Sequence, residues 1–343
     1  MSSRVGGLRG SFPLPHRVPT GPTAVDIGGV MSLTPRLALS RAKLDRDAES
    51  RAIPGLLDTL WNTPDTRVVP TWRGEVLVTN SGTLELAYLT SADLPRPETL
   101  IYLGKSIDAD QDLSLGAAVL AAVLTDEEAA ALEPDTTRWV SGRTSGHALS
   151  DRDAGVLAQA LALANWHTAH RYSPRSGAAL VSDQAGWVLV DESSGQSVFP
   201  RTDAAIIVLI TDQEDRIVLG SNALWESQRY SLLAGFVEPG ESLEAAVLRE
   251  VWEESGLRIT NPRYVGSQPW PFPASLMLGF TAELDHAMSG PLRPDGTEIV
   301  DLRWFSRDEL RASLGDVVLP GSTSIARAMI EDWFGESLPE MSW

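Results

Sequence analysis

The chain has 343 residues, of which 43% are hydrophobic, so it can bury a sizeable core, and its length favours two or three domains. Its formal net charge of −18 opposes non-specific binding to nucleic acid, because such binding depends on basic groups that displace counterions. The absence of cysteine excludes disulfides and thiol chemistry. Since no run of about twenty apolar residues occurs, we expect no membrane span and a cytoplasmic protein.

The N-terminal part of the chain carries no catalytic pattern. Residues 1–30 are rich in Gly, Pro and Ser without the apolar core of a signal peptide, which predicts a disordered extension. Across residues 31–150, turn residues separate short strand-like runs such as GEVLVTN, LELAYL and TLIYLGK. The run TDEEAAALEP predicts a short helix capped by Thr125. We therefore expect an α+β domain here.

A connecting region, residues 151–200, begins with a predicted helix that Ser150 opens and that is rich in Ala and Leu. Trp166 on this helix is expected to anchor packing. His167 and His170 lie three residues apart, and they are either metal ligands or, as is more usual for isolated histidines, core or surface groups.

Residues 201–335 form the predicted C-terminal domain. FPRTDAAIIVLI, the turn DQED and the return strand RIVLG predict a hairpin at its start. Arg201 in that hairpin is either a surface charge or a phosphate contact. GSTSIARAMIEDWF predicts a final amphipathic helix.

The segment GFVEPGESLEAAVLREVWEESGL, residues 235–257, predicts a loop that becomes a helix. Ser242 can cap the helix, and Gly256 allows a left-handed stop. An apolar stripe at four-residue spacing is expected to be buried: Leu243, Val247 and Val251.

Three carboxylates on this predicted helix point to a metal. Glu250, Glu253 and Glu254 fall within an arc of about 100°, where like charges repel near a helix end whose dipole prefers cations. Oxygen ligands suit hard cations, so Mg²⁺ or Mn²⁺ is the expected partner. Arg249 can bind Glu253 at i, i+4 and orient it. The alternative is an ordinary solvated helix face.

The spacing of the whole segment resembles the Nudix box. Five residues separate Gly235 from Glu241, and seven separate Glu241 from Arg249. The remaining box positions follow as Glu250, Val251, Glu253, Glu254, Gly256 and Leu257. At average residue usage this pattern arises by chance well below about 10⁻⁹ per starting position. SQPWPFPAS, residues 267–275, is expected to be an extended, loop-like wall for a flat heterocycle, and it resembles the array of the NADH pyrophosphatase subfamily, which also removes NAD caps from RNA.

The resemblance implies a fold and a set of site residues. The fold is α+β: a Nudix α/β/α sandwich with a mixed sheet, preceded by an N-terminal α+β domain and a ribbon-like β unit. The implied metal ligands are Glu250, Glu253, Glu254 and Glu298. The implied general base is Glu254 or Glu253, with Glu298 as a further candidate, and Arg249 completes the catalytic set. The implied substrate contacts are Phe236, Trp270, Ser275, Met277 and Ala326. For Phe236 the alternative is plain core filler.

The chain departs from its relatives at the structural zinc site. Many NADH pyrophosphatases carry cysteines where this sequence has Ser173, Ser176, Asp191 and Ser194. Hydroxyls are poor zinc ligands, so we expect no structural zinc and a ribbon-like unit without metal. Packing by Trp187, Val188 and Phe199 is expected to hold it together.

The function implied by the resemblance is metal-dependent hydrolysis of the pyrophosphate of NAD(H), giving NMN(H) and AMP, together with removal of NAD caps from RNA 5′ ends. A homodimer is also implied. The alternatives are a Nudix hydrolase of another nucleoside diphosphate, such as ADP-ribose, and a non-catalytic nucleotide sensor. Sensors usually lose box carboxylates, whereas all are present here.

Overall fold

The computed structural model describes residues 26–27, 30–41, 43–79 and 82–340. In that part of the chain, no helix combines the length and the apolarity that crossing a bilayer requires. Two short strands, β1 (Asp26–Ile27) and β2 (Val30–Met31), pair antiparallel at the edge of the predicted extension. The other residues of that extension lie outside the described ranges.

The N-terminal sheet has the strand order β3-β6-β7-β4-β5-β8, in which β4 and β7 run parallel. Its elements, in chain order, are β3 (Leu44–Asp45), α1 (Leu56–Trp61), β4 (Arg67–Trp72), β5 (Glu75–Leu77), β6 (Thr99–Ser106), β7 (Ala118–Val123), α2 (Asp126–Leu132), β8 (Trp139–Ser141), α3 (Gly142–Ser145) and α4 (Asp151–Ala169). The expected helices are present, with a capping box at Thr125 and a cap from Ser150. The run LELAYL forms only isolated bridges instead of the predicted strand.

Helix α4 packs on the N-terminal sheet because its apolar side chains face that sheet. Val156, Leu157 and Leu161 are fully buried in one cluster with Ile101 and Val119 of the sheet. Trp166 is 4% exposed in the same cluster, as expected of a packing anchor.

A small ribbon sheet follows α4, with the order β11-β10-β9 and antiparallel pairing throughout. Its strands are β9 (Leu180–Asp183), β10 (Val188–Asp191) and β11 (Gln196–Val198). Val188 is 4% exposed, and Trp187 is partly buried and donates from Nε1 to the carbonyl of Tyr102, 2.7 Å away. Phe199 is 65% exposed, so the expectation that it packs this unit is wrong.

The C-terminal sheet has the order β15-β16-β12-β13-β17, and β14 pairs with β12 beside this path. Its elements are β12 (Asp203–Thr211), β13 (Ile217–Asn222), β14 (Leu233–Phe236), α5 (Leu243–Ser255), β15 (Ile259–Trp270), β16 (Ser275–Leu284), β17 (Ile299–Phe305), α6 (Arg307–Ser313) and α7 (Ile325–Phe334). β12 and β16 are parallel and the other pairs are antiparallel, so the sheet is mixed.

Helices α5 and α7 cover opposite faces of this sheet, because successive side chains of a strand point to opposite sides. On β12, Ile206, Val208 and Ile210 cluster with the α5 stripe. Ile207 and Leu209 cluster instead with residues of α7. The result is the α/β/α sandwich expected from the sequence. It places the α5 carboxylates next to β14.

Hydrogen bonds link the four ribbon positions Ser173, Ser176, Asp191 and Ser194 around one carboxylate. Asp191 is fully buried; its Oδ2 accepts from Ser176 Oγ at 2.5 Å, and its Oδ1 accepts from Ser193 Oγ at 2.6 Å. Ser194 adds a further hydrogen bond, and these bonds hold the pKa of Asp191 well below its ordinary value. Ser173 Oγ accepts from the Ser176 amide at 3.3 Å, which ties in the remaining position. Asp191 therefore occupies the centre of a network that links the loop at 173–176 to β10.

We predict that Asp191→Ala lowers the melting temperature by several degrees. The substitution removes the buried carboxylate that accepts from Ser176 and Ser193, and it releases the 173–176 loop from β10. Circular dichroism during heating at pH 7 measures the effect. Glu192→Ala, at the exposed neighbouring position, is the matched control and should melt like the wild type. Equal melting temperatures for the two variants would show that the network contributes nothing to stability.

Candidate active site

A cavity of about 780 Å³ opens between the C-terminal sheet, α7 and the segment that precedes α4. The sheet contributes Ile207, Leu233 and Ala234 to its walls. Glu254 from α5 and Glu298 from the loop before β17 bring two carboxylates to the same cavity. The cavity is thus a largely apolar space with acidic groups on one wall, which is how binding sites for small molecules are commonly built.

Helix α5 places its acidic residues through local rules that the sequence already indicates. Ser242 Oγ accepts from the Ala245 amide at 3.2 Å, and the helix ends at Gly256 with φ +69°. Val247 and Val251 are fully buried, and Leu243 is partly buried against the same core. The buried stripe fixes the rotation of the helix, so the directions of the glutamates are fixed as well.

Glu254 is buried, and its carboxyl is only partly satisfied. The residue is 5% exposed, and its Oε2 has no hydrogen-bond partner among the described residues. The backbone N–H of Ala234 donates to this carboxyl. Burial, reinforced by the charges of Glu250, Glu298 and Asp295, raises the pKa of Glu254 to about 9. In the protein alone, Glu254 therefore carries a proton at neutral pH.

Arg249 connects the acidic residues to the loop before α5. It binds Glu241 through two parallel hydrogen bonds of 2.9 Å, and its Nη2 donates to the carbonyl of Phe236 at 2.9 Å. Its Nη1 donates to Glu250 Oε1 at 2.7 Å and to Glu253 Oε2 at 3.1 Å, so the expected i, i+4 pair is present. These partners raise the pKa of Arg249, with Glu241 the largest cause.

Gly235 is required where β14 passes Glu250. A Cβ atom built on Gly235 would lie 2.0 Å from the Glu250 Cδ, a distance that no real contact allows. Burial raises the pKa of Glu250, while the hydrogen bond from Arg249 opposes that change. Gly235 therefore lets this carboxylate lie directly against the strand.

The acidic residues differ in exposure. The side chain of Glu253 is 57% exposed and that of Glu250 is 13% exposed, and neither residue is part of the cavity lining. Glu298 lines the cavity, and its Oε1 accepts from Asn222 Nδ2 at 3.5 Å. The backbone N–H of Glu298 donates to the carboxylate of Asp295. As the side chains stand, no group of three or more His, Cys, Asp or Glu in the described ranges is arranged to hold a metal ion.

The donor chemistry nevertheless fits a hard divalent cation. The groups around Glu254 are carboxylates, and oxygen ligands are those that Mg²⁺ and Mn²⁺ prefer. The buried Oε2 of Glu254 has no partner in the described chain, and Glu250 and Glu298 repel its charge. A cation between these groups would offset both costs.

The expected substrate contacts divide into two groups. Trp270, Met277 and Ala326 line the cavity. Ser275 lies outside the cavity lining, opposite Trp270 in the β15–β16 hairpin. Phe236 is 58% exposed at the end of β14, so the alternative that it is core filler is wrong, but it too lies outside the lining.

The segment SQPWPFPAS is only partly the loop that its prolines predict. Strand β15 continues through Trp270, and a turn at residues 271–274 leads into β16, with a cis bond between Phe272 and Pro273. The rings of Trp270 and Phe272 meet edge to face, with centroids 5.0 Å apart. Pairing with β16 supplies the backbone partners that a free loop would lack.

Several cavity residues come from parts of the chain that the sequence did not single out. Arg143, Thr144 and His147 reach the cavity from α3 and the turn that follows it, and Glu340 reaches it from the C-terminal tail. These residues lie between 83 and 92 residues before or after the box, so no local spacing could reveal them.

The remaining sequence candidates have ordinary partners. His167 Nε2 lies 2.8 Å from the carbonyl of Gly186, and His170 Nδ1 lies 3.0 Å from the carbonyl of Trp166. The structure thus shows neither histidine in a metal-binding group within the described chain. Arg201 is exposed and pairs with Asp203 at 2.9 Å.

The sequence matches two protein families, one over the N-terminal sheet and one over the C-terminal sheet. Residues 65–166 match the NADH pyrophosphatase-like rudimentary NUDIX domain, and residues 200–325 match the NUDIX domain. The sandwich, the box on α5 and these matches define the chain as a Nudix hydrolase.

The similar proteins narrow this class. NAD-capped RNA hydrolase NudC from Mycobacterium bovis is 41% identical over 275 residues, covering 76% of this chain and 83% of that protein. The protein of the same name from Pseudomonas syringae is 42% identical over 181 residues, covering 53% of this chain and 62% of the relative. A NUDIX hydrolase structure from Nitrosomonas europaea has 19% identity and a TM-score of 0.38, and covers 49% of this chain and 94% of its own. The chain belongs to the NudC family of Nudix hydrolases, which confirms the resemblance found in the sequence.

We predict that Glu254 makes the cation-free protein less stable as the pH rises. Its folded-state pKa of about 9 lies above the ordinary value of 4.5. The contribution of this raised pKa to the free energy of unfolding is therefore complete below pH 4.5, decreases as the pH rises, and is lost as the pH passes through 9. Glu254→Gln stays neutral, and its melting temperature in EDTA should gain on the wild type between pH 5 and pH 9.

The matched control for this prediction is Glu253→Gln, because Glu253 lies on the same turn of α5 with a mostly exposed side chain. Its melting temperature should follow the wild type across the pH range. A constant difference between wild type and Glu254→Gln would contradict the assignment of the burial penalty to Glu254.

Proposed function

We propose that this protein hydrolyses the pyrophosphate bond of NAD(H), giving NMN(H) and AMP, and removes NAD caps from RNA to leave a 5′-monophosphate. The observation that carries this proposal is the buried carboxyl of Glu254, which lines the same cavity as Glu298 and Trp270. Relatives named NAD-capped RNA hydrolase, at 41% identity, support the same substrate class.

The cofactor of the proposed reaction is Mg²⁺ or Mn²⁺, which the carboxylates of Glu250, Glu253, Glu254 and Glu298 would hold. When bound, the cation neutralises charge on the pyrophosphate and lowers the pKa of an attacking water. The missing thiolates at the ribbon positions, where Asp191 stands at the centre of a serine network, support a protein without structural zinc.

The protein's own residues position and polarise the reactants. Arg249 holds Glu250 and Glu253 in fixed orientations and ties both to Glu241. Glu254 is favoured as the group that takes a proton from water, because it lines the cavity and its Oε2 has no other partner in the described chain. Glu253 and Glu298 are the other candidates for this role.

The cavity supports binding of a flat ring beside the carboxylates. Trp270 offers an aromatic surface, and Met277 and Ala326 complete an apolar wall next to it. Phe236 and Ser275 are proposed to contact the parts of the substrate that extend beyond the cavity. The net charge of −18 fits recognition of an RNA by its capped end rather than along its length. We further propose a cytoplasmic homodimer as the working form.

We predict that the purified protein with Mg²⁺ converts NADH to AMP and reduced NMN, and NAD-capped RNA to 5′-monophosphate RNA. Chromatography of the nucleotide products and gel analysis of the RNA measure the two reactions. Parallel reactions with ADP-ribose test the alternative substrate class. Faster turnover of ADP-ribose than of NADH would favour that alternative, and no turnover of any of them would favour a nucleotide sensor.

We predict that Glu254→Gln lowers kcat/KM for NADH by about a thousandfold or more. Loss of one charge-stabilising or proton-accepting group commonly costs this much. Glu244→Gln is the matched control, because Glu244 is exposed in the first turn of the same helix and away from the cavity. Parent-level turnover by a folded, metal-supplied Glu254→Gln protein would show that this carboxyl is dispensable.

A further inference from the structure

The C-terminal tail is fixed to the molecule by a buried arginine. Arg327 on α7 is 1% exposed, and its Nε donates to Glu331 Oε1 at 2.8 Å. Its Nη1 donates to the carbonyl of Pro320 at 3.1 Å, and its Nη2 donates to the carbonyls of Leu338 and Pro339 at 2.5 and 2.7 Å. One guanidinium therefore joins the tail to the loop that precedes α7. Pro320 of that loop lines the cavity.

Glu340 follows this fixed stretch, and it lies on the cavity wall. The Ser322 hydroxyl donates to its Oε2, and this hydrogen bond lowers the pKa of Glu340, so the carboxylate is ionised at neutral pH. A carboxylate has about four acceptor positions. Ser322 therefore orients Glu340 and leaves acceptor capacity for a ligand.

His147 reaches the same wall from the N-terminal part of the chain. Its backbone N–H donates to Thr323 Oγ1 at 3.1 Å, and its ring Nδ1 lies 3.3 Å from the same oxygen. The preceding Gly146 is closely packed: a Cβ atom built there would lie 2.8 Å from Leu39 Cδ2. His147 from the segment before α4 and Glu340 from the C-terminal tail are thus both held at this cavity.

The charges around Glu340 distinguish it from the metal-binding candidates. Arg327 is its permanently charged neighbour, and this positive charge favours the ionised carboxylate. The neighbours that act on Glu254 are the acidic residues Glu250, Glu298 and Asp295. A cation is therefore attracted to the Glu254 wall. Glu340, whose charge is already offset, suits neutral hydrogen-bond donors from a ligand.

We propose that Glu340 is a specificity-determining residue that accepts hydrogen bonds from the vicinal hydroxyls of one ribose of the substrate. An acidic side chain is a common partner for ribose hydroxyls, because both carboxylate oxygens accept. The inference rests on the proposed function, since a pyrophosphate at the Glu254 wall carries a ribose on each side. It adds to that function a sugar-recognising group supplied by the tail.

The test compares kcat and KM of wild type, Glu340→Ala and Glu340→Gln on NADH with Mg²⁺. We expect Glu340→Ala to raise KM about tenfold with kcat within about twofold, because hydrogen bonds to a charged group are lost in binding. Glu340→Gln, which keeps one acceptor oxygen, should lie between. Glu336→Gln is the control, because this exposed tail residue pairs with Arg311 and lies outside the cavity lining.

The same variants are then measured on NADH analogues that lack the 2′-hydroxyl on one ribose or on the other. For one of the two analogues, the difference in KM between wild type and Glu340→Ala should largely disappear. The inference is overturned if Glu340→Ala has the KM of Glu336→Gln, or if its full effect persists with both analogues. Wild-type protein that releases no AMP from NADH would instead refute the proposed function and, with it, this inference.

Discussion

Glu254 is held away from water beside Glu250 and Glu298, and its Oε2 has no hydrogen-bond partner in the described chain. Burying such a carboxyl costs free energy, which neighbouring interactions must offset. Here the buried apolar stripe of α5, which includes Val247 and Val251, offsets it. The apolar packing fixes the helix, and the fixed helix keeps the carboxyl where only a proton or a cation can satisfy it. The free-energy cost of the unpaired carboxyl at Glu254 and the apolar packing of its neighbours thus belong to the same helix.

The local parts of this arrangement could be predicted from the sequence. The spacing of the box, the cap at Ser242 and the stop at Gly256 all act within one helix, so adjacent residues determine them. The three glutamates share one arc of the predicted helix, however, whereas the structure separates them: Glu254 is buried while Glu253 faces solvent. A helical wheel gives relative directions, but only tertiary packing decides where the boundary of the core falls.

Distant parts of the site could not be predicted in this way. Arg143, His147 and Glu340 line one cavity although they come from α3, the turn after it and the tail, and no periodicity in the sequence indicates that they come together. Glu298 was indicated only by family resemblance, and its neighbour Asp295 not at all. Phe199 shows the opposite case, because its aromatic side chain predicts packing in the ribbon whereas the structure leaves it 65% exposed.

The serine network around Asp191 affects how the ribbon sheet responds to oxidants. A ribbon held by thiolates needs a supply of metal and is opened when an oxidant attacks its sulfur ligands. Here carboxylate and hydroxyl oxygens take those places, and neither can form a sulfenic acid or a mixed disulfide. The hydrogen bonds that join this unit therefore contain no sulfur group that an oxidant could attack.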